Sequence, residues 1–237
     1  MPASNQSLLE GRWDRKLYKG RELKGKTIGI IGLGSIGQCM ASLCRALGMR
    51  IVAYDPVATV ETATAAGAEQ LFATVEDLMA VSDVVSLHVP GGPSTQGMIG
   101  REQLKAAKPG CLLVNAARGG VVDADALLEA IEQGWVGGAA LDVYDKEPPS
   151  TPATVKLVSM PQVVCTPHLG ASTEEAQVKV AEQIAEQVCD VLDGKKYIGV
   201  VNAKHVALSQ QTEGKQVAGL ARSLGHLASS ILEGKVD

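Results

Sequence analysis

From Lys26 onward, short β-branched runs alternate with stretches whose apolar residues recur at helical spacing. The strand candidates are TIGII, RIVAYD, DVVSLHV, CLLVNAA, GAALDVY and QVVCT, and helical stretches occupy residues 35–47, 57–66 and 123–133 between them. Such alternation predicts an open, mostly parallel sheet with helices on both faces. Runs apolar at successive positions, such as CLLVN, predict strands covered on both sides. Asp123, ahead of Ala126, Leu127, Leu128 and Ile131, supplies an N-cap followed by an apolar stripe. Farther on, Ala176, Val180, Ile184, Val188 and Val191 keep helical spacing across residues 173–192, and Gly194 closes that helix. YIGVVNA reads as a further strand. Val217, Leu220, Leu224, Leu227 and Ile231 then place an amphipathic helix over residues 213–232. The weakest patterning lies in residues 1–20 and in the proline-rich EPPSTPAT loop.

Composition narrows the function classes. With 46% apolar residues in a chain of 237, a full core can form. A formal net charge of −4 without Lys/Arg clusters argues against a nucleic-acid groove and leaves a small molecule as the expected partner. Cys39, Cys44, Cys111, Cys165 and Cys189 form neither a C-x-x-C pair nor a zinc-ligand array. That scatter points to a reducing, cytoplasmic setting and to no metal site. The polar N-terminus lacks the apolar core of a signal peptide. Residues 28–44 are uncharged but contain four glycines, which suits a buried strand and helix start better than a membrane span.

Gly32, Gly34 and Gly37 form G-x-G-x-x-G directly after TIGII and at the head of a helix. In that context the first glycine permits a tight turn, the second lets backbone approach a pyrophosphate, and the third allows close helix packing. The helix end then offers free N–H groups to phosphate. Asp55 ends the second strand, where a carboxylate accepts both ribose hydroxyls and repels a 2′-phosphate, so NAD is expected over NADP. The plainer alternative is a helix-capping turn, with Asp55 starting the turn completed by Pro56.

Downstream, in chain order, come Arg118 in NAARGG, Glu147 in DKEPP and His168 in TPHLGAS. A hydroxy acid surrendering hydride to a nicotinamide needs a cation for its carboxylate, a base for the hydroxyl proton and an acid to orient that base. Singly, each has a structural reading: a solvated turn, an exposed loop acid, a strand-end histidine bonded to backbone. Together, behind a dinucleotide turn, they are candidates for those three roles. His88, ending DVVSLH, reads as a strand-end residue near the cofactor, and His205 and His226 as structural.

The runs GKTIGIIGLGSIGQ, YDP, HVPGGPSTQGMI, NAARGGVVDADAL, GAALDVYDKEPP and TPHLGAST, in that order, resemble the D-isomer-specific 2-hydroxyacid dehydrogenases over nearly the whole chain. Within that family, GRWDRKLYKGRELKGKT and YIGVVNAKHV are similar to the branch that oxidises 3-phosphoglycerate. The resemblance implies an α/β fold: a Rossmann-type doubly wound parallel sheet, with only the C-terminal part of a discontinuous substrate domain. It implies a lead-in over residues 1–20, an NAD-binding domain over residues 21–172, and a long connecting helix with a substrate-domain remnant over residues 173–237.

It further implies that Arg118 holds the substrate's carboxylate and carbonyl oxygen, that His168 is the acid/base group and that Glu147 bonds to it. For NAD it implies Ser35 and Ile36 at the pyrophosphate, Asp55 at the ribose, and Val89 and Pro90 beside the adenosine. Ala116, Ala117, Arg118 and Asp142 would lie near the nicotinamide, with His168, Gly170 and Ala171 beyond. Ser35 stands where the family very often has arginine, and Ala116 where its phosphoglycerate-oxidising members often have cysteine. The implied activity is NAD-dependent oxidation of 3-phospho-D-glycerate to 3-phosphooxypyruvate, the first step of L-serine biosynthesis, in a homodimer or higher homo-oligomer. Glyoxylate/hydroxypyruvate reductase and D-lactate dehydrogenase chemistry are the near alternatives. A corepressor-like interaction protein and a non-catalytic NAD-binding fragment are the distant ones.

Overall fold

The computed structural model describes residues 2–198 and 212–231. Among them, seven strands form one sheet: β1 (Thr27–Ile31), β2 (Arg50–Tyr54), β3 (Gln70–Leu71), β4 (Val84–Leu87), β5 (Leu112–Asn115), β6 (Gly138–Leu141) and β7 (Val163–Cys165). Their order is β3-β2-β1-β4-β5-β6-β7, and every neighbouring pair is parallel. The direction of winding reverses between β1 and β4, which opens a crevice at the carboxyl ends of the strands. This is an α/β, Rossmann-like fold.

Period-two alternation divides the strands between two cores. Ile28, Ile30, Ile51 and Ala53 meet α2 (Ser35–Ala46) and α3 (Val60–Ala65) through Ala41, Cys44 and Ala63. Ile31, Val85, Leu87, Leu113 and Leu141 face the opposite way, onto α4 (Val75–Val81), α5 (Arg101–Lys105), α6 (Ala124–Glu132) and α7 (Pro152–Val158). Leu78, Leu104 and Leu157 are wholly buried there, each contributing about 1.5–3 kcal/mol. α2 and α3 lie over β1, β2 and β3. The double cover predicted for CLLVN is therefore incomplete: Leu113 is buried, but Leu112 is 46% exposed on the other face.

Other differences have local causes. The helix predicted over residues 57–66 starts later, because Asp55 Oδ1 captures the Val57 and Ala58 amides at 2.9 and 3.1 Å and Thr59 then caps α3. Such an Asx turn competes with helix for the same N–H groups. EPPSTPAT is not only loop: Thr151 accepts the Thr154 amide at 3.3 Å, and Pro152 takes the first helical position, where its missing N–H is harmless. Residues 1–20 are likewise not without structure, since α1 (Pro2–Leu9) lies among them and Ser7 donates to Asp14 at 2.8 Å. The short β3, α4 and α5 escape the periodic reading because each offers too few residues for a repeat.

The chain divides into two compact units, residues 1–170 and 171–237. The second contains α8 (Glu174–Leu192), capped by Thr173 and ended by Gly194 at φ 66°, and α9 (Thr212–Ile231). No residue of α8 is buried. The predicted strand YIGVVNA, after its first two residues, lies outside the described residues. Among those described, no helix is long and apolar enough to cross a membrane.

Candidate active site

β1 delivers the glycine turn to the crevice. Gly32 has φ 96°, in the left-handed region that side chains avoid. A Cβ on Gly37 would overlap the Gly32 carbonyl, whereas one on Gly34 would meet nothing within 4 Å, so that turn faces open space. The first helical bond of α2 runs from the Gln38 amide to the Gly34 carbonyl, 3.0 Å, leaving the Ser35, Ile36 and Gly37 amides at the free end. Ser35 and Ile36 are exposed, Ile36 by 72%. Val89 packs against Gly32 and is buried, and Pro90 follows at the surface.

Asp55 leaves β2 and reaches back to this turn: its Oδ2 accepts the Leu33 amide at 2.8 Å, while Oδ1 holds Val57 and Ala58. A carboxylate has about four acceptor positions. Three are already engaged, so two ribose hydroxyls would have to share what remains or displace a backbone donor.

Arg118 follows β5. Asn115 organises the segment, its side chain accepting the Ala117 amide at 3.1 Å and donating to the Arg118 carbonyl at 3.0 Å. Ala116 and Arg118 are exposed and Ala117 is buried. The guanidinium donates to the Ala117 carbonyl at 2.6 Å, and its stem lies against Gly91. Gly119 presses onto the β6 exit, where a Cβ would overlap the Tyr144 carbonyl. Arg118 is thereby tied through backbone to the segment that carries Glu147.

Glu147 and His168, 21 residues apart, meet directly, with Oε2 to Nδ1 at 2.7 Å. The other Glu147 oxygen accepts the Tyr144 amide at 3.2 Å. The imidazole bond, then this amide, hold the Glu147 carboxyl below the ordinary carboxylate range. His168 is 52% and Glu147 39% exposed at the side chain, so solvent screens the pair and it adds little to stability. His168 adopts φ 55°, an unusual conformation for a residue with a side chain.

Asp142, at the end of β6, holds that conformation. Its carbonyl accepts the His168 amide at 2.9 Å, Oδ1 accepts the Thr166 hydroxyl at 2.5 Å and the Leu169 amide at 2.8 Å, and Oδ2 accepts the Gly170 amide at 2.9 Å. Burial pushes the Asp142 carboxyl up, but these donors outweigh it and the net shift is downward. Gly170 is exposed, and Ala171 opens the second unit, its carbonyl accepting Gln177 Nε2 at 3.3 Å. A cavity of about 410 Å³ lies at these strand ends, lined by Val114, Ala116, Asp142, Val164 and Leu169 among others. A larger groove of about 780 Å³ follows Leu8, Trp13 and Tyr18 in the lead-in and contains none of these groups.

Residue patterns alone did not single out Asn115, Tyr144 or Thr166. Tyr144 clamps the two strand exits, its hydroxyl lying 3.2 Å from the Leu141 carbonyl and 3.0 Å from that of Thr166. The available signal was their place inside the motifs NAARGG, DVYDKEPP and TPHLG.

Residues 1–170 match the family model described as D-isomer specific 2-hydroxyacid dehydrogenase, NAD binding domain. The chain is 43% identical over 227 residues to D-3-phosphoglycerate dehydrogenase of Rattus norvegicus, covering 96% of this chain and 42% of that protein. Against the protein of the same name from Methanocaldococcus jannaschii it is 42% identical over 237 residues, covering 100% and 44%. It thus spans less than half the length of these curated relatives. A glyoxylate reductase from Paecilomyes thermophila superposes with TM-score 0.74 at 31% identity, over 84% of this chain and 59% of that one. D-lactate dehydrogenase with NAD+ from Lactobacillus jensenii gives TM-score 0.70 at 30% identity, over 84% and 62%. With its parallel sheet, glycine turn and paired Glu147–His168 loop, the chain belongs to the D-isomer-specific 2-hydroxyacid dehydrogenase family, through that family's NAD-binding domain.

Proposed function

We propose that this chain carries the NAD site and the acid/base machinery of a 3-phospho-D-glycerate dehydrogenase, oxidising that substrate to 3-phosphooxypyruvate. The observation carrying the proposal is the 2.7 Å contact between Glu147 and His168, beside the Arg118 segment and on the strand ends of an NAD-binding fold. NAD supplies the hydride acceptor. The glycine turn and α2 amides hold its pyrophosphate, and Asp55 stands where a ribose would lie. Arg118 exchanges its bond to the Ala117 carbonyl for a bidentate grip on the substrate's carboxylate and reacting oxygen, a geometry suited to a planar guanidinium. His168 Nε2 takes the proton from the substrate hydroxyl, while Glu147 fixes the ring through Nδ1 and stabilises it once protonated. Asp142 keeps the loop in register.

Identity to D-3-phosphoglycerate dehydrogenases over the whole chain supports this substrate. The likeness to a glyoxylate reductase supports a second reading, reduction of a 2-oxo acid by the same groups. Leu9, Trp13 and Leu17 are each at least 74% exposed in the lead-in, which supports assembly as a homodimer or higher homo-oligomer. The NAD chemistry and the free, scattered thiols support a cytoplasmic setting.

Calorimetric titration with NAD, followed by turnover of 3-phosphoglycerate, hydroxypyruvate, glyoxylate and lactate, tests the proposal. Preference for 3-phosphoglycerate, lost by about 10²–10⁴-fold in His168→Gln, is expected. Binding of NAD without turnover of any of them establishes the non-catalytic reading instead.

A further inference from the structure

Ser86 and His88 lie two positions apart at the carboxyl end of β4, on the side of the sheet opposite Val85 and Leu87 in the core. Across the ladder Ser86 pairs with Val114, which lines the cavity at the strand ends together with Ala116 and Asp142. The His88 amide donates to the Ile31 carbonyl at 2.8 Å, and its own carbonyl abuts Gly32. The residue therefore sits beside the glycine turn, where the strand order reverses between β1 and β4. That reversal is where open α/β sheets take dinucleotides.

Ser86 is 3% exposed, and its hydroxyl lies 3.0 Å from His88 Nε2, its one hydrogen-bond partner among the described residues. If Nε2 carried the proton and donated, the buried Ser86 hydroxyl hydrogen would lack an acceptor and bear the full cost of desolvation. If Ser86 donates to Nε2, both groups are satisfied and the ring proton resides on Nδ1. Nδ1 has no partner among the described residues. None of their non-exposed side chains carries a nitrogen or oxygen that is both sealed from solvent and unpartnered. His88 is half-buried, so Nδ1 opens onto free space rather than into packed protein. Burial also pulls the imidazole below its ordinary pKa, which favours the neutral ring. A half-buried ring beside the glycine turn thus has one fixed N–H donor without a protein partner among the described residues.

We propose that His88 is a cofactor-contact residue whose Nδ1–H donates to an acceptor oxygen of the dinucleotide as it crosses from β1 to β4, with Ser86 as the positioning residue that fixes the tautomer. The inference rests on the NAD reading of the turn and adds a side chain to it. Arg118, Glu147 and His168 are not involved.

Calorimetry with NAD on the full chain provides the test. His88→Phe keeps the ring's bulk without the donor and is expected to weaken NAD about fivefold to tenfold. His88→Asn, which returns an N–H near the Nδ1 position, recovers most of the loss. Ser86→Ala weakens binding less, and Ser86→Thr restores it. Nitrogen-15 spectra of the imidazole, assigned by loss of the signal in His88→Asn, are expected to show the Nδ1–H tautomer in the free protein, a mixture of tautomers in Ser86→Ala, and a shifted Nδ1 resonance on adding NAD. If His88→Phe does not fold, Ser86→Ala and the spectra carry the test. An unaltered protein that binds NAD, with His88→Phe binding equally well or with the ring proton on Nε2, overturns the role of His88 alone. An unaltered protein that does not bind NAD overturns the reading of the turn and this inference with it.

Discussion

The two loops that face the crevice are built in opposite ways. The turn after β1 is held by what its own residues lack: a side chain at Gly32, which sits at φ 96°, and one at Gly37, whose Cβ would overlap the Gly32 carbonyl. The loop after β7 is held by what a distant residue provides, since Asp142 binds amides 27 and 28 positions away and tolerates His168 at φ 55°. One loop depends on the absence of side chains at two glycines, with Asp55 adding a single bond to the Leu33 amide, and the other on a buried carboxylate that accepts three hydrogen bonds. The first should fail sterically, the second electrostatically.

The harshest break of the first loop is Gly37→Val. A branched side chain cannot share space with the Gly32 carbonyl, so the helix must move off the strand, with a cost of about 3–4 kcal/mol and loss of NAD binding. Thermal unfolding and NAD calorimetry check both. Asp142→Ala is the matching break of the second loop. It leaves the Leu169 and Gly170 amides and the Thr166 hydroxyl without their acceptor, for about 2–3 kcal/mol, and should abolish turnover while sparing the glycine turn.

The same carboxylate predicts a pH response. Its pKa is lower in the folded protein than the unfolded value near ~4, so its stabilisation is present above that value and is lost as pH falls through the lower, folded one. Amide shifts of Leu169 and Gly170 followed by NMR should titrate in that acid window. Glu147→Gln is milder. The exposed pair contributes little to folding, so the melting point should hold, while kcat/KM falls about tenfold through a less well oriented ring. Smallest is Ser35→Arg, which places a cation at the pyrophosphate end of α2. NAD should bind about two- to fivefold tighter, with the gain fading in high salt.

These loops also differ in how much of them was legible. TIGII followed by Gly32, Gly34 and Gly37 carries its own geometry, because the constraint is local to six residues. Asp123 with its apolar stripe reads directly as α6, whose Asp123 side chain accepts the Ala126 amide at 3.0 Å. Asp55 was legible as a strand-end acid that starts a turn but not as the acceptor of the Leu33 amide, since that bond depends on β1 and β2 lying side by side. The CLLVN pattern overstates burial because hydrophobicity does not reveal which helices cross which face. His168 and Glu147 were visible as residue types within motifs. Their contact was implied by the family resemblance but not by spacing, because it requires β6 and β7 to be neighbours and Tyr144 and Asp142 to fix both strand exits.

The sequence by itself determined the alternation of strands and helices, the glycine turn and the residue types available for hydroxy-acid chemistry. Periodicity, capping and the freedom of glycine act over a few residues and are written into neighbouring positions. Only the tertiary structure decided which of those groups meet: Asp142 with the His168 loop, Glu147 with the imidazole, and Ser86 with His88 at the reversal of the sheet. Strand order and side-chain facing set those meetings, and a hydrogen bond's reach of about 3 Å admits no substitute for correct placement.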